Sequence, residues 1–172
     1  SWARRALEAF AASPDDLAVL TGPNLTPPGD PWSRRISGAA LASPLIMGSG
    51  ALFWGGGGTA REVQKAYTCN LLVRRDALET SGGCDDRLLN NEELALCEAV
   101  RGNGGRIAYD PDLVVRHHRR DLPHFWIQWF NEGLAARDYR RFSHAGSWMA
   151  FLPSILIAFE VVVLLVGGWA IW

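Results

Sequence analysis

Apolar positions along the chain alternate between two spacings. Residues 2 to 11 (WARRALEAFA) place Trp2, Ala6, Leu7 and Phe10 on one face of a short helix. Ser13-Pro14-Asp15-Asp16 ends it with turn chemistry, and Leu17 to Leu20 follows as an apolar strand closed by Thr21-Gly22-Pro23. The Pro/Gly-rich stretch from Pro23 to Pro31 predicts loop, and Arg34 to Ile46 predicts helix broken at Pro44. Gly48 to Gly58 reads either as a flexible surface loop or as a mobile active-site flap; no Lys-Ser/Thr follows it, as a phosphate loop would require. Ala66 to Val73 predicts a strand, Asp76 to Thr80 one or two helical turns stopped at Gly82-Gly83, and Asn91 to Arg101 a helix with Asn91 as its N-cap. Gly102 and Gly104-Gly105 stop that helix, and Arg106 to Tyr109 and Leu113 to Val115 are short strands on either side of Pro111. Strand and helix alternate, so the fold class expected is α/β.

Beyond residue 120 the pattern changes. Leu122, Phe125, Trp126, Trp129, Phe130 and Leu134 form one aromatic helical stripe, followed by Arg137, Arg140 and Arg141. A core-facing helix and a helix lying on a membrane surface both fit; the second is favoured because the stripe leads straight into Trp148 to Trp172. That run of twenty-five residues holds one charge, Glu160, and has tryptophans near both ends. As a helix it reaches ~37 Å, enough to cross a bilayer with tilt. With the arginines on its N-terminal side, residues 1 to 147 are expected on the cytoplasmic side of a cell inner membrane.

Composition narrows the classes. The chain has 172 residues, 48% of them apolar and 20% charged, with a net charge of -1. Disorder is excluded by the apolar content, and nucleic-acid binding by the lack of a basic excess. Cys69, Cys84 and Cys97 are an odd set at no metal-ligand spacing, expected as small buried thiols of a reducing compartment. The chain begins at Ser1 and stops inside an apolar run, so both ends look cut.

Two polar constellations stand out. In GGCDDRLLNNEE, Gly82 to Glu93, a paired glycine turn precedes two carboxylates that open a helix. Glu92 and Glu93 read as first-turn partners of the helix dipole on a solvated face, or as a carboxylate held ionised to act as a general base. The second is Arg116-His117-His118-Arg119-Arg120, directly after a strand end. It reads as a basic patch against anionic lipid, or as a metal-binding imidazole beside arginines that clamp a diphosphate.

The stretches CNLLVRRDALETSGGCDDRLLNNEELALC and GGRIAYDPDLVVRHHRR, in that order, resemble the second half of a family 2 inverting glycosyltransferase of GT-A fold, of the membrane-anchored bacterial kind. The resemblance covers roughly residues 1 to 145. It implies a partial GT-A (Rossmann-like) domain over 1–120, an amphipathic juxtamembrane helix over 121–147 and a transmembrane helix over 148–172. By position, Glu93 stands where the family has its catalytic Asp, with Glu92 as the fallback. Gly82, Gly83 and Asp85 would border the acceptor pocket, Arg119 and Arg120 the donor diphosphate, and His117 or His118 would bind metal. Cys84 and Asp86 replace the usual Phe and Glu. The cofactor implied is Mg²⁺ or Mn²⁺, and the partners are a nucleotide-sugar donor, a lipid-linked or polysaccharide acceptor and the membrane. The D-x-D motif expected just before Trp2 is absent from the sequence, so transfer is expected only of the full-length parent. The alternative reading is a non-enzymatic membrane-anchored module that binds lipid or a partner.

Overall fold

The computed structural model describes residues 1–142 apart from Leu89; of residues 133–142 it describes the backbone alone. Its centre is β1 (Leu17–Thr21), whose five residues are all buried. A strand covered on both faces needs no alternation, which is why LAVLT is apolar throughout. β1 pairs in parallel with β5 (Arg106–Tyr109) and antiparallel with β4 (Leu71–Val73). The two-residue β3 (Arg61–Glu62) closes the other edge, giving the order β3-β5-β1-β4. A second, parallel pair joins β2 (Asn24–Leu25) to β6 (Val115–Arg116).

Helices flank this mixed sheet, so the architecture is α/β. α1 (Trp2–Ala12) is capped by the Ser1 hydroxyl, which accepts from Arg4 N. α6 (Glu92–Gly102) buries Leu96, Cys97 and Val100 against Ala18, Val19, Ala66 and Ile107. Full burial of each larger side chain stabilises by about 1.5–3 kcal/mol. α5 (Arg75–Thr80) is a short connector whose leucine and alanine pack on the same cluster. α2 (Trp32–Ala42), α3 (Pro44–Met47) and α4 (Ala51–Gly55) follow one another, and α7 (Leu122–Phe142) is the longest helix.

Several expectations need correction. The Pro23–Pro31 loop contains β2, because Asn24 and Leu25 find partners in β6 far along the chain. The glycine-rich stretch is part helix: Ala51–Gly55 is helical, Phe53 is buried, and the Tyr109 hydroxyl donates to Gly57 O at 3.1 Å. Gly56, Gly57 and Gly58 all have left-handed φ, of 73°, 81° and 78°, which explains three glycines in succession. The strand expected over Ala66–Val73 begins only at Leu71, after a 3₁₀ turn at Thr68–Asn70. Asn91 does precede α6, but in the left-handed region (φ 68°) and without a side-chain capping bond. On α1 the buried residue is Ala6; Leu7 is 71% exposed. Cys97 is buried as expected, whereas Cys69 and Cys84 are exposed. Among the described residues, no single helix is long and apolar enough to cross a membrane. Residues 148–172, Glu160 included, and the side chains of Leu134, Arg137, Arg140 and Arg141 lie outside the described residues.

Candidate functional site

The richest polar ground lies where β2 and β6 meet α2 and α4. Arg119, just past β6, is 6% exposed. Its guanidinium donates to Asn24 O and, at 3.0 Å, to Thr26 Oγ1, and it stacks over the Trp54 ring 4.8 Å from the centroid. Burial pulls its pKa down, partly offset by Cys69 and Asp30. Arg119 thus ties β2, β6 and α4 together and is spent on the wall of the site. The wall is tight: a Cβ on Gly38 of α2 would come within 2.0 Å of Thr26 Oγ1, so only glycine lets α2 approach the hydroxyl that Arg119 holds.

Beside this wall is a pocket of about 310 Å³. Arg35 from α2 and Arg116 from β6 line it, with Thr26, Trp54 and backbone at Gly38 and Gly55, and no carboxylate does. Ring contacts fix its aromatic side, with Trp54 at 5.2 Å and Phe53 at 5.1 Å from Tyr67. Among the described residues, the buried Trp54 indole N–H has no hydrogen-bond partner. Such an arrangement can hold an anion: two exposed positive charges and a hydroxyl line the same pocket. Sequence reasoning missed Arg35, Trp54 and Thr26. Their signals were faint: an Arg-Arg pair opening an apolar helix, and a tryptophan directly before four glycines.

His118 does not join a metal cluster. Its Nδ1 bonds Asp30, whose side chain is 2% exposed while the imidazole stays 71% exposed. Burial opposes ionisation of Asp30, but His118 and the nearby Arg119 backbone and Arg34 hold its carboxyl below the usual range. The His117 backbone N–H donates to Leu25 O at 3.0 Å, its ring is exposed, and Arg120 is exposed. Among the described residues, no three His, Cys, Asp or Glu side chains gather where they could hold a metal ion.

The acidic constellation lies elsewhere and has local structural tasks. Gly82 N and Gly83 N bond Glu79 O and Leu78 O at 3.1 and 2.9 Å, closing the C-terminus of α5. Asp85 is held bidentately by Arg87 at 2.8 and 2.7 Å, and that guanidinium drives its pKa down to about 2. Glu93 is half-buried at the mouth of α6, and burial pushes its carboxyl up, helped by Glu92 and by Glu132 of α7. Glu132 is raised likewise, by burial and then by Glu92, with Arg120 acting against it. Glu132 thus feels charge from both expected constellations, Glu92 from one and Arg120 from the other.

Comparison with known proteins overturns the glycosyltransferase expectation. A stretch of 73 residues, 38% of this chain, is 41% identical to NADPH-dependent thioredoxin reductase 3 of Arabidopsis thaliana. The chain spans about a seventh (14%) of that relative, a redox protein. No protein-family model matches, and no solved structure does. Nothing found supports the sugar-transfer activity or the glycosyltransferase reading; the likeness found is to a thioredoxin reductase, over part of the chain, and the transmembrane call falls on residues 148–172, outside the described residues.

Proposed function

We infer that the pocket between α2, α4 and β6 binds the phosphorylated end of a ligand, and that the chain belongs to the nucleotide side of an oxidoreductase. The observation that carries this is the pairing of Arg35 and Arg116 in a pocket lined by no carboxylate. Arginine presents several N–H donors in a plane, which suits phosphate oxygens. A pocket of 310 Å³ is at the small end for ligand sites, ~300–1,000 Å³, so it takes a phosphate with part of its ribose rather than a whole dinucleotide. The relative's name specifies NADPH, which makes NADPH the ligand to test first.

Cys97 is ill placed for thiol chemistry. Cys97 is buried, and burial pushes its thiol up to about 11, so it holds little thiolate near neutral pH. Cys69 and Cys84 are free and exposed. In this reading Trp54 and Gly55 form the back of the pocket, Thr26 donates a hydroxyl, and Arg119 fixes both from behind.

Titration calorimetry with NADPH, NADH and inorganic phosphate tests the reading. NADPH should bind at least ~10-fold more tightly than NADH, because one added phosphate brings charge-assisted hydrogen bonds worth about 1.5–3 kcal/mol. Arg116→Ala and Arg35→Ala should each remove most of that preference and weaken the salt dependence. Equal affinity for NADPH and NADH, or a preference that survives both substitutions, would reject the pocket as the phosphate site.

A further inference from the structure

We propose that α2 and α3 form a wedge that seats this protein on the surface of an anionic phospholipid bilayer, with the first turns of α7 beside it. The two helices run into each other at Pro44. Trp32 and Ile36 of α2 are 69% and 49% exposed, and Leu45 and Ile46 of α3 are 87% and 50% exposed. α7 contacts α2 and adds Trp126 and Phe130, 75% and 66% exposed. Scattered exposed apolar residues are ordinary, but large ones gathered on helices that touch mark an interaction surface.

The chemistry of the surface selects the occupant. Residues 31 to 60 contain Arg34 and Arg35 and no lysine, aspartate or glutamate. Trp32–Ala42 and Pro44–Gly55 together reach the apolarity of a membrane segment, yet a 55° bend separates them. The bend leaves no straight apolar helix long enough to cross here, and the exposed apolar residues of α2 and α3 suit an interfacial seat. Tryptophans at the level of the headgroups and arginines beside them suit an interface with anionic lipid. Arg116 and Arg120 are exposed too, and Asp121 of the same region bonds His124 Nδ1 at 2.5 Å. Leu45 is 87% exposed on a helix of only four residues.

Hydrogen exchange on the full chain tests this, with vesicles of phosphatidylcholine alone, with vesicles carrying a minority of phosphatidylglycerol, and without vesicles. Amides in residues 32–47 and 122–130 should slow by about tenfold with the anionic vesicles and less with the neutral ones. Leu45→Glu with Ile46→Glu should abolish that protection while circular dichroism stays unchanged, and Leu45→Phe should keep it. Three outcomes overturn the proposal. Vesicle binding without protection of 32–47 means that another segment does the docking. Protection that grows with protein concentration in the absence of vesicles means that a second copy covers the face. Protection at low concentration without vesicles means that residues 148–172 of the chain itself cover it.

Discussion

Two faces of this molecule use the same apolar residues for opposite ends. Around β1 and α6, Val19, Ile107, Cys97 and Val100 are at most 1% exposed. Across α2, α3 and α7, Trp32, Leu45, Ile46, Trp126 and Phe130 are at least half exposed. Burial on the first face supplies the stability; exposure on the second lowers it nowhere, because water is displaced only when something docks. Apolar content read along a sequence cannot separate these roles, while coordinates do so immediately.

The widest gap between the faces is kinetic and shows in the thiols. Cys69 and Cys84 should react with an alkylating reagent in the folded protein. Cys97 is covered by the cluster that holds the fold together, so it should react only through opening of that cluster. With global stabilities of ~5–15 kcal/mol, that opening makes labelling slower by ~10³-fold or more. Mass spectrometry of partly labelled protein should show two fast sites and one slow one. Three equal rates would mean that α6 is not docked as described.

A matched pair of substitutions separates the faces energetically. Ile107 is fully buried in β5, and Ile36 is 49% exposed on α2. Ile107→Ala should cost about 2–5 kcal/mol, the transfer term plus the cavity left behind. Ile36→Ala should stay within ~0.5 kcal/mol, because its outer side already meets water. Denaturant titration reads both. If Ile36→Ala cost as much as Ile107→Ala, the α2 face would be an interior surface and the docking proposal would lose its ground.

How much of this was legible beforehand differs by element. β1, α1, α6 and the break at Pro44 were readable because local spacing and breakers set them. β2 and β3 were not, and β6 was read two residues early, at Leu113 to Val115, because two-residue strands exist only through partners far away, such as Asn24 with Val115. The candidate site suffered in the same way. Arg119 was singled out, yet its task is to brace Thr26 and Trp54 from within, a contact between segments 93 residues apart. His118 looked like a metal ligand because nothing in the sequence ties it to Asp30, 88 residues earlier. The resemblance to a sugar-transferring family rested on short polar motifs, and those motifs have local structural tasks: Gly82-Gly83 closes α5, and Asp85 pairs with Arg87.

The smallest effect expected sits where Glu93 of α6 feels the charge of Glu132 of α7. Burial raises the Glu93 carboxyl, and Glu92 and Glu132 raise it further, while the Thr68 side chain works the other way. An acid whose pKa is higher when folded than when unfolded favours the folded state at low pH. Its contribution is complete below the unfolded pKa and is lost as pH rises through the folded one. Glu93→Gln keeps the shape and removes the charge, so at neutral pH it should stabilise by up to about 1 kcal/mol. At acidic pH, where Glu93 is already protonated, the same substitution should make no difference. Chemical denaturation across the pH range reads the crossover. A destabilised variant at neutral pH would mean that the helix dipole of α6 outweighs burial at this position, and the Glu93 charge would then be holding α6 in place rather than straining it.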